Sequence, residues 1–186
     1  MVDGELTRRE QLVAAAFGLV AEVGLEGLRL RRVAAEVGID QSTIHYHVAT
    51  KAELVEAVAQ HAAAMLATTA PPPHLPPREA LAAHLDALAD LVATRPELFT
   101  VTAELDLRAR RDPSVRAVLD RQEAGWREVL VGLFTALEPD GPAAARAELV
   151  IAAVKGVRLV PDLAPVVLAQ LVAPTEETER AGGGRR

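Results

Sequence analysis

The feature that most constrains this chain is a helical repeat of apolar residues that runs almost from end to end. Val13, Ala16, Phe17 and Val20 follow the i, i+3, i+4, i+7 spacing of one buried helix face. Similar spacing recurs along the 186 residues, and no segment alternates apolar and polar residues as a β-strand does. The pattern predicts an all-α fold with about nine helices.

The composition excludes several classes of protein. Half of the residues are hydrophobic and a quarter are charged, which is typical of a globular protein. Cysteine is absent, which excludes disulfides and cysteine zinc sites. The polar start does not resemble a signal peptide, and charges interrupt the apolar runs before they could span a membrane. We expect a soluble, cytoplasmic protein that does not associate with membranes.

One segment divides the helical pattern into two parts. Residues 68–77 contain the run APPPHLPP, and proline cannot continue a helix. We predict an N-terminal domain with a connecting helix over 1–67, a Pro-rich linker over 68–77 and a second helical domain over 78–173. The tail, 174–186, has no apolar periodicity and is predicted to be disordered.

The N-terminal domain carries the signals of three short helices. Thr7 and Glu10 form a capping box at the start of the first helix, and Gly24 is a natural stop. Gly38 ends the second helix, and Asp40 is a good N-cap for the third. Two short helices joined by a three-residue turn are the pattern of a helix-turn-helix, whose second helix enters the major groove of DNA.

The third helix is predicted to display polar side chains on its outer face. Ile39 and Ile44 form a hydrophobic staple, which turns this side of the helix inward. At 100° per residue, Ser42 and Tyr46, the only tyrosine of the chain, point most directly outward. The other polar side chains of this outer face are Gln41, Thr43 and His45.

The charge around the third predicted helix also favours the binding of a polyanion. The net charge of the chain is −6, which argues against a broad coat of nucleic acid. Residues 28–51 are locally positive, because four basic side chains stand against two acidic ones. Thr50 is predicted to cap the next helix, with Glu53 completing a capping box. Lys51 lies in its first turn, where the helix dipole favours a phosphate.

Residues 7–60 resemble the DNA-binding domain of TetR-type transcriptional repressors. The resemblance depends on the three-helix pattern and on a run of residues at fixed spacing, which covers under a third of the chain. The run consists of Thr43, Ile44, His47, Thr50, Lys51 and Leu54. The remaining helices agree with the variable all-α regulatory domain of that family, although they carry no motif of their own.

The resemblance implies roles for individual residues of the N-terminal domain. The positions that would meet base edges and nearby phosphates are Gln41, Ser42, Thr43 and Tyr46. His47 and Lys51 match positions that grip the DNA backbone, and Arg31 matches a position that reaches a base in some members. His45 departs from the family, which commonly has tyrosine there, although histidine can still contact a phosphate.

The second domain contains candidates for an effector pocket. Phe99, Trp126 and Phe134 are either core residues or the walls of a cavity between helices that holds a small effector. The candidate polar partners of such an effector are His84, Thr102, Glu104 and Arg158.

The last two predicted helices, 143–159 and 162–172, are too apolar to be free surfaces. Burial within one subunit would account for them, but we favour pairing with the same helices of a second subunit in a homodimer. The predicted dimer face consists of Ala147, Val150, Ala153, Val154 and Val157.

No pattern indicates catalysis, a metal site or a cofactor. His45 and His47 are two residues apart on a helix and diverge, and no nucleophile elbow or phosphate loop is present. We expect a DNA-binding regulator, and specifically a homodimeric repressor released from a palindromic operator by an unidentified small molecule. An activator, a regulator without effector, and a helical enzyme or ligand carrier remain the alternatives.

Overall fold

A computed structural model describes residues 6–172, and within this range the regular structure consists of helices only. The prediction of an all-α fold with about nine helices is confirmed for these residues. The helices are α1 (Arg8–Gly27), α2 (Leu30–Val37), α3 (Gln41–Ile44), α4 (Lys51–Ala67), α5 (Pro77–Thr94), α6 (Pro96–Ala109), α7 (Pro113–Leu137), α8 (Ala143–Val157) and α9 (Ala164–Gln170), with a 3₁₀ turn at Pro161–Leu163.

The predicted start and stop signals act at the ends of α1 and α2. Thr7 and Glu10 form the expected capping box. Gly24 has a φ of 68° and kinks the chain, so that the last turn of α1 leaves the axis of the preceding residues. Gly38 closes α2 in the left-handed conformation, with a φ of 72°. Both glycines adopt a conformation that other residues rarely tolerate.

α3 is shorter than the sequence predicts. The α-helix ends at Ile44, and the next residues continue it as a tighter turn. In that turn the N–H of Tyr46 donates to the carbonyl of Thr43 at 3.1 Å, and the N–H of His47 donates to that of Ile44 at 3.0 Å. Such i+3 bonds are common at helix ends. Asp40 occupies the N-cap position, but its side chain makes no capping hydrogen bond.

Proline and capping residues begin the later helices. A proline stands in the first turn of α5, α6 and α7, where its missing N–H would have no helical partner. Asp112 also caps α7 by accepting from the N–H of Ser114 at 3.1 Å. The predicted last helix, 162–172, is instead the 3₁₀ turn followed by α9. The tail that the sequence predicts to be disordered, 174–186, lies outside the described residues.

One continuous hydrophobic core joins the N-terminal helices to the later ones. α4 packs against α1 on one side and against α6 and α7 on the other, and α1 also packs directly on α6. The cores of the two predicted domains are therefore continuous through α4, and the boundary at 68–77 stays a prediction. Among residues 6–172 no helix combines the length and apolar character needed to cross a membrane.

Candidate functional site

The outer face of α3 and its following turn carries the polar side chains that the sequence places there. Tyr46 is 88% exposed, the highest value among the exposed large apolar or aromatic side chains of residues 6–172. Gln41, Ser42 and His45 are also exposed, whereas Thr43 and His47 are half-buried. These six residues and Arg31 are called the outer face below.

The inner side of the same segment fixes it to the body of the protein. Ile44 is completely buried and Val48 is almost so, and both belong to the hydrophobic core. Ile39 packs against that core from the turn before α3. Burial of such side chains stabilises a fold by about 1.5–3 kcal/mol each. A rigid core therefore presents polar groups that have few partners within the subunit.

The basic side chains near the outer face differ in their availability. Arg32 pairs with Glu22 at 2.8 Å, and Arg9 pairs with Glu53 at 3.0 Å. Arg31 is exposed and forms no ion pair with any residue between 6 and 172. Its guanidinium is free to meet a phosphate or a base edge.

The two neighbouring histidines have different surroundings. The ring Nδ1 of His45 lies 3.3 Å from the carbonyl oxygen of Ala49, where it can donate a hydrogen bond. His47 faces a different direction from His45 on the turn and is half-buried. In the described part of the chain no three His, Cys, Asp or Glu side chains are grouped so as to hold a metal ion.

Lys51 has a partner that the sequence did not indicate. Its Nζ donates to the carbonyl oxygen of Leu25 at 2.8 Å and so fastens the first turn of α4 to the end of α1. Burial, and then the nearby positive charge of Arg29, lowers the pKa of Lys51 below its ordinary value. Leu25 thus uses one of the three N–H donors of this ammonium group within the protein.

Glu53 also differs from the predicted capping box. Thr50 does accept from the N–H of Glu53, at 3.1 Å. The carboxylate of Glu53, however, accepts from the N–H of Ala49 at 2.9 Å, one residue before the cap. This bond, and then the one from Arg9, lowers the pKa of Glu53. The two bonds fix the junction between the outer face and α4.

Glu104 does not line the predicted effector pocket, which corrects the assignment from sequence. Its Oε2 accepts from the N–H of Leu25 at 3.0 Å. A Cβ added at Gly24 would lie only 3.2 Å from the same oxygen, so glycine permits the approach of α6 to α1. Leu25 is thus held on both sides, because Lys51 of α4 bonds to its carbonyl and Glu104 of α6 bonds to its N–H. Nothing in the spacing of the sequence could reveal this long-range clamp.

A cavity of about 360 Å³ lies between α4, α5, α6, α7 and α8. It brings together five of the seven predicted pocket residues, namely His84, Phe99, Thr102, Trp126 and Arg158. The end of α4 and the start of the linker also line it, through Leu66, Thr69 and Pro71 among others. The sequence missed this contribution because such residues at the end of a helix carry no chemical signature.

Phe134 does not line the cavity, which corrects a second assignment from sequence. Its side chain is buried elsewhere in the core, and the guanidinium carbon of Arg146 lies 4.5 Å from the centre of its ring. Phe134 therefore packs the junction of α7 and α8, with a cation–π contact on one face.

His84 is the centre of a hydrogen-bond chain inside the cavity wall. Its Nδ1 donates to the carbonyl oxygen of Thr69, at the end of α4. Its Nε2 accepts from the indole Nε1 of Trp126 at 2.8 Å. Burial lowers the pKa of His84, and the bond to Thr69 offsets this only in part. The network therefore holds a neutral imidazole with its proton on Nδ1.

The dimer face predicted on α8 points into its own subunit, which is a third correction. Four of its residues are buried against the core, and Ala153 is half-buried. The buried residues are Ala147, Val150, Val154 and Val157. The error arose because an apolar helix has two apolar faces, and the spacing alone does not tell which one faces the core.

The opposite face of α8 is apolar and exposed. Leu149 is 59% exposed, and small residues extend its stripe along the helix. This stripe consists of Ala145, Leu149, Ala152, Gly156 and Leu159. α7 has a similar exposed stripe of Gly125, Val129, Gly132 and Ala136. Small residues on both helices would allow the backbones of a second copy to approach closely.

These features define the class of the protein as a helix-turn-helix protein with a larger helical domain that encloses a cavity. Two family models match the chain. "Bacterial regulatory proteins, tetR family" matches residues 12–58, and "Tetracyclin repressor-like, C-terminal domain" matches residues 76–182. The second alone covers more than half of the chain, and the chain therefore belongs to the TetR family of bacterial regulatory proteins.

Curated relatives match the N-terminal part. The chain is 41% identical over 51 residues to the class D tetracycline repressor protein of Escherichia coli. It is 36% identical over 53 residues to the class C protein of the same species. The matches cover 27% and 28% of this chain, but only 23% and 24% of the relatives. The chain thus matches about a quarter of the length of these repressors.

Solved structures match nearly the whole chain. A transcriptional regulator from Rhodococcus sp. Rha1 has a TM-score of 0.80 and 26% identity, covering 89% of this chain and 94% of its own. The multidrug binding protein EbrR, complexed with proflavin, has a TM-score of 0.59 and 27% identity, with coverage of 89% and 99%. AibR, in complex with isovaleryl coenzyme A and operator DNA, has a TM-score of 0.75 and covers 91% and 100%. At 17% sequence identity, the similarity to AibR shows a shared fold and nothing more.

Proposed function

We propose that this protein is a homodimeric transcriptional repressor that binds a palindromic DNA operator and leaves it when a small molecule enters the cavity. The observation that carries the proposal is the outer face, where Gln41, Ser42 and Tyr46 project from a buried support. Amide and hydroxyl groups on such a segment suit base edges and phosphates in the major groove. The relatives and neighbours that bind operators or effectors support the same reading.

The homodimer is supported by the exposed apolar stripes of α7 and α8. Two such stripes on each subunit can form a four-helix interface about a two-fold axis. In that arrangement each subunit presents one outer face to the same side of the DNA. Half-sites about one helical turn, or roughly 35 Å, apart are then expected.

Release by an effector is supported by the bonds at both ends of α4. Its first turn is fastened to α1 through Lys51 and Leu25, and the residue just beyond its last turn, Thr69, accepts from His84 in the cavity wall. A ligand that displaces this wall can move α4 and with it the outer face. The ligand must bind the two arrangements with different affinity, since otherwise it shifts no equilibrium.

The test is selection of bound fragments from a random pool of double-stranded DNA with the full chain, followed by mobility-shift titration. We expect a palindromic consensus, bound by two subunits, whose affinity falls at least tenfold for the Gln41→Ala/Tyr46→Ala double variant. Enrichment of no sequence above background would refute operator binding. A reporter gene under this operator then separates repression from activation.

The matched control is Gln170→Ala, which removes the same exposed amide from α9, far from the outer face. It should leave operator affinity unchanged. An equal loss in the control would show that the double variant acts through the fold and not through DNA contacts. A single subunit on each operator would contradict the dimer.

A further inference from the structure

We infer that the cavity is built for a neutral, mainly apolar ligand with one hydrogen-bonding group, and that it rejects free cations and anions. The inference rests on the proposed function only in calling this ligand the effector. Binding of the ligand in the cavity does not depend on whether the protein binds DNA. At about 360 Å³ the cavity has the size of sites that hold drug-sized molecules.

Most of the cavity wall is apolar. Side chains from five helices contribute to it, so that a ligand entering it leaves water on most sides. The apolar and aromatic lining residues include Leu66, Leu88, Phe99, Leu119, Trp126 and Val154. Transfer of an unpaired charge into such surroundings is strongly unfavourable.

The buried polar groups of the wall are already satisfied by one another. His84 uses one ring nitrogen on Thr69 and the other on Trp126, so neither is available to a ligand. The hydroxyl protons of Thr69 and Thr102 are donated to the carbonyls of Leu66, at 2.8 Å, and Phe99, at 3.1 Å. These two hydroxyls can still accept a hydrogen bond, but they have none to donate.

The first charged pair of the wall neutralises itself. Arg158, whose side chain is only 11% exposed, pairs with Asp106 at 2.5 Å. An anionic ligand beside this pair would meet the charge of Asp106 as well as that of Arg158, and a cationic ligand would meet the same two opposite charges, so neither ion finds a net charge to pair with. Removing one partner from such a pair leaves the other charge uncompensated, which is costly in a secluded site.

A second charged cluster is also neutral, because the two cations Lys155 and Arg127 stand against the two carboxylates Glu123 and Glu148. The carboxylate of Glu123 accepts from Lys155 and also from Arg127, the latter at 2.9 Å. Burial would raise the pKa of Glu123, but the hydrogen bonds from Lys155 and Arg127 together hold it below its ordinary value. Glu123 is thus ionised and fully paired, and offers no free charge to a cation.

Besides the two threonine hydroxyls, two polar side chains of the wall remain for the ligand, and one of them, Arg121, is exposed, so that water solvates its charge and a contact with it is worth little. The other, Gln122, is half-buried in the wall, and among residues 6–172 its amide makes no side-chain hydrogen bond. A primary amide can donate to a carbonyl and accept from a hydroxyl. The single polar group of the ligand is therefore expected to meet Gln122, while the apolar remainder fills the space beside Trp126.

The test compares ligands that share a skeleton and differ in charge. One trio is 1-decanol, decanoate and decylammonium, and a second trio carries hydroxymethyl, carboxylate and aminomethyl groups on biphenyl. Calorimetry with the full chain gives the dissociation constants at neutral pH. Trp126, the only tryptophan, reports the arrival of the decyl ligands by its fluorescence. We expect each alcohol to bind at least tenfold tighter than either ion.

An ion that binds as tightly as its alcohol, or the failure of both alcohols to bind at their solubility limit, would overturn the inference. The result does not depend on DNA. If no operator is found but the alcohols are preferred, the proposed function fails and the ligand class stands. If the operator is bound and an ion is preferred, the ligand class fails and the regulator stands.

Three variants and one control variant test where the ligand lies. Ala63→Phe fills the cavity from α4 and should abolish binding, whereas Ala64→Phe, on the exposed side of the same helix, should not. Gln122→Leu should weaken both alcohols about tenfold. Asp106→Asn frees the guanidinium of Arg158, so decanoate should gain at least tenfold relative to decanol. An unchanged ratio in this last variant would contradict the self-neutralised pair.

Discussion

The outer face and the cavity use the same kinds of side chain in opposite ways. On the outer face Tyr46 lies beside His45 and His47, with its ring 88% exposed. In the cavity wall Trp126 lies on His84, which is 3% exposed and bonded through both nitrogens. An aromatic residue beside a histidine can thus have different roles in different parts of the protein. What decides its role is whether its polar atoms already have partners within the subunit.

Each of the two regions can accept a different kind of ligand. Groups that have no partner in the subunit and lie at the surface can bond to a polar, charged surface such as DNA. Groups that satisfy one another in a secluded wall leave mainly shape and apolar contact for a ligand. Four substitutions test this contrast, because the free energy of unfolding should depend on the bonds that a residue makes within the protein and not on its chemical type.

The largest loss of stability is expected for His84→Ala. The substitution removes a buried side chain and leaves the carbonyl of Thr69 and the indole N–H of Trp126 without their partner. We expect the free energy of unfolding to fall by about 3 kcal/mol in urea titrations. His74→Ala, at an exposed position of the linker, serves as the control and should change it by less than about 0.5 kcal/mol. Equal losses would mean that the chain of bonds has no structural role.

The same histidine predicts a dependence on pH. Burial depresses the pKa of His84 in the folded state, so the unfolded chain binds the proton first as the pH falls. This contribution to stability is therefore complete above the unfolded pKa of about 6.5 and declines as the pH falls below it. Urea titrations between neutral pH and the range where carboxylates titrate should show the decline. His84→Phe should flatten it, and an equally steep decline in that variant would refute the assignment.

An intermediate loss is expected for Glu104→Ala. The partly buried N–H of Leu25 loses its charged acceptor, and α6 loses its bond to α1. We expect the free energy of unfolding to fall by about 1.5 kcal/mol. Glu97→Ala is the matched control, because Glu97 lies on the same helix and, among residues 6–172, pairs only with its neighbour Arg95. A loss in the control as large as that for Glu104 would argue against the clamp.

For Lys51→Ala we expect the free energy of unfolding to fall by a smaller amount, about 1 kcal/mol. The ammonium group fastens α4 to the carbonyl of Leu25 and is partly solvated, so its bond is worth less than that of a buried group. The salt dependence of DNA binding decides between this role and the phosphate contact that the sequence suggests. We expect the slope of log affinity against log salt to change by well under one unit. A decrease of about one unit would restore the phosphate contact.

The smallest effect on stability is expected for Tyr46→Ala, within about 0.5 kcal/mol of the parent. The ring is exposed and packs against nothing that folding requires. Operator affinity should nevertheless fall at least tenfold, and Tyr46→Phe should show how much of the loss belongs to the hydroxyl. A large fall in thermal stability would contradict the contrast between the two regions.

The sequence predicted local features well and long-range contacts poorly. The capping box at Thr7, the end of α2 at Gly38 and the start of α4 after Thr50 depend on residues within three or four positions, and the structure confirms them. Glu104 is one of the four polar side chains that the sequence suggests as partners of an effector. Its bond to Leu25 spans 79 positions, and no local spacing reports such a contact.

The sequence and the tertiary structure decided different properties of this protein. The residues by themselves determined that the chain is helical, that it carries a helix-turn-helix and that Tyr46 and Ser42 face outward, because helical period and capping act through neighbours along the chain. Only the tertiary structure decided which apolar face of α8 is buried, that His84 is neutral and bonded, and that Leu25 is held from both sides. These depend on which helices pack together, and packing is settled by the whole core at once.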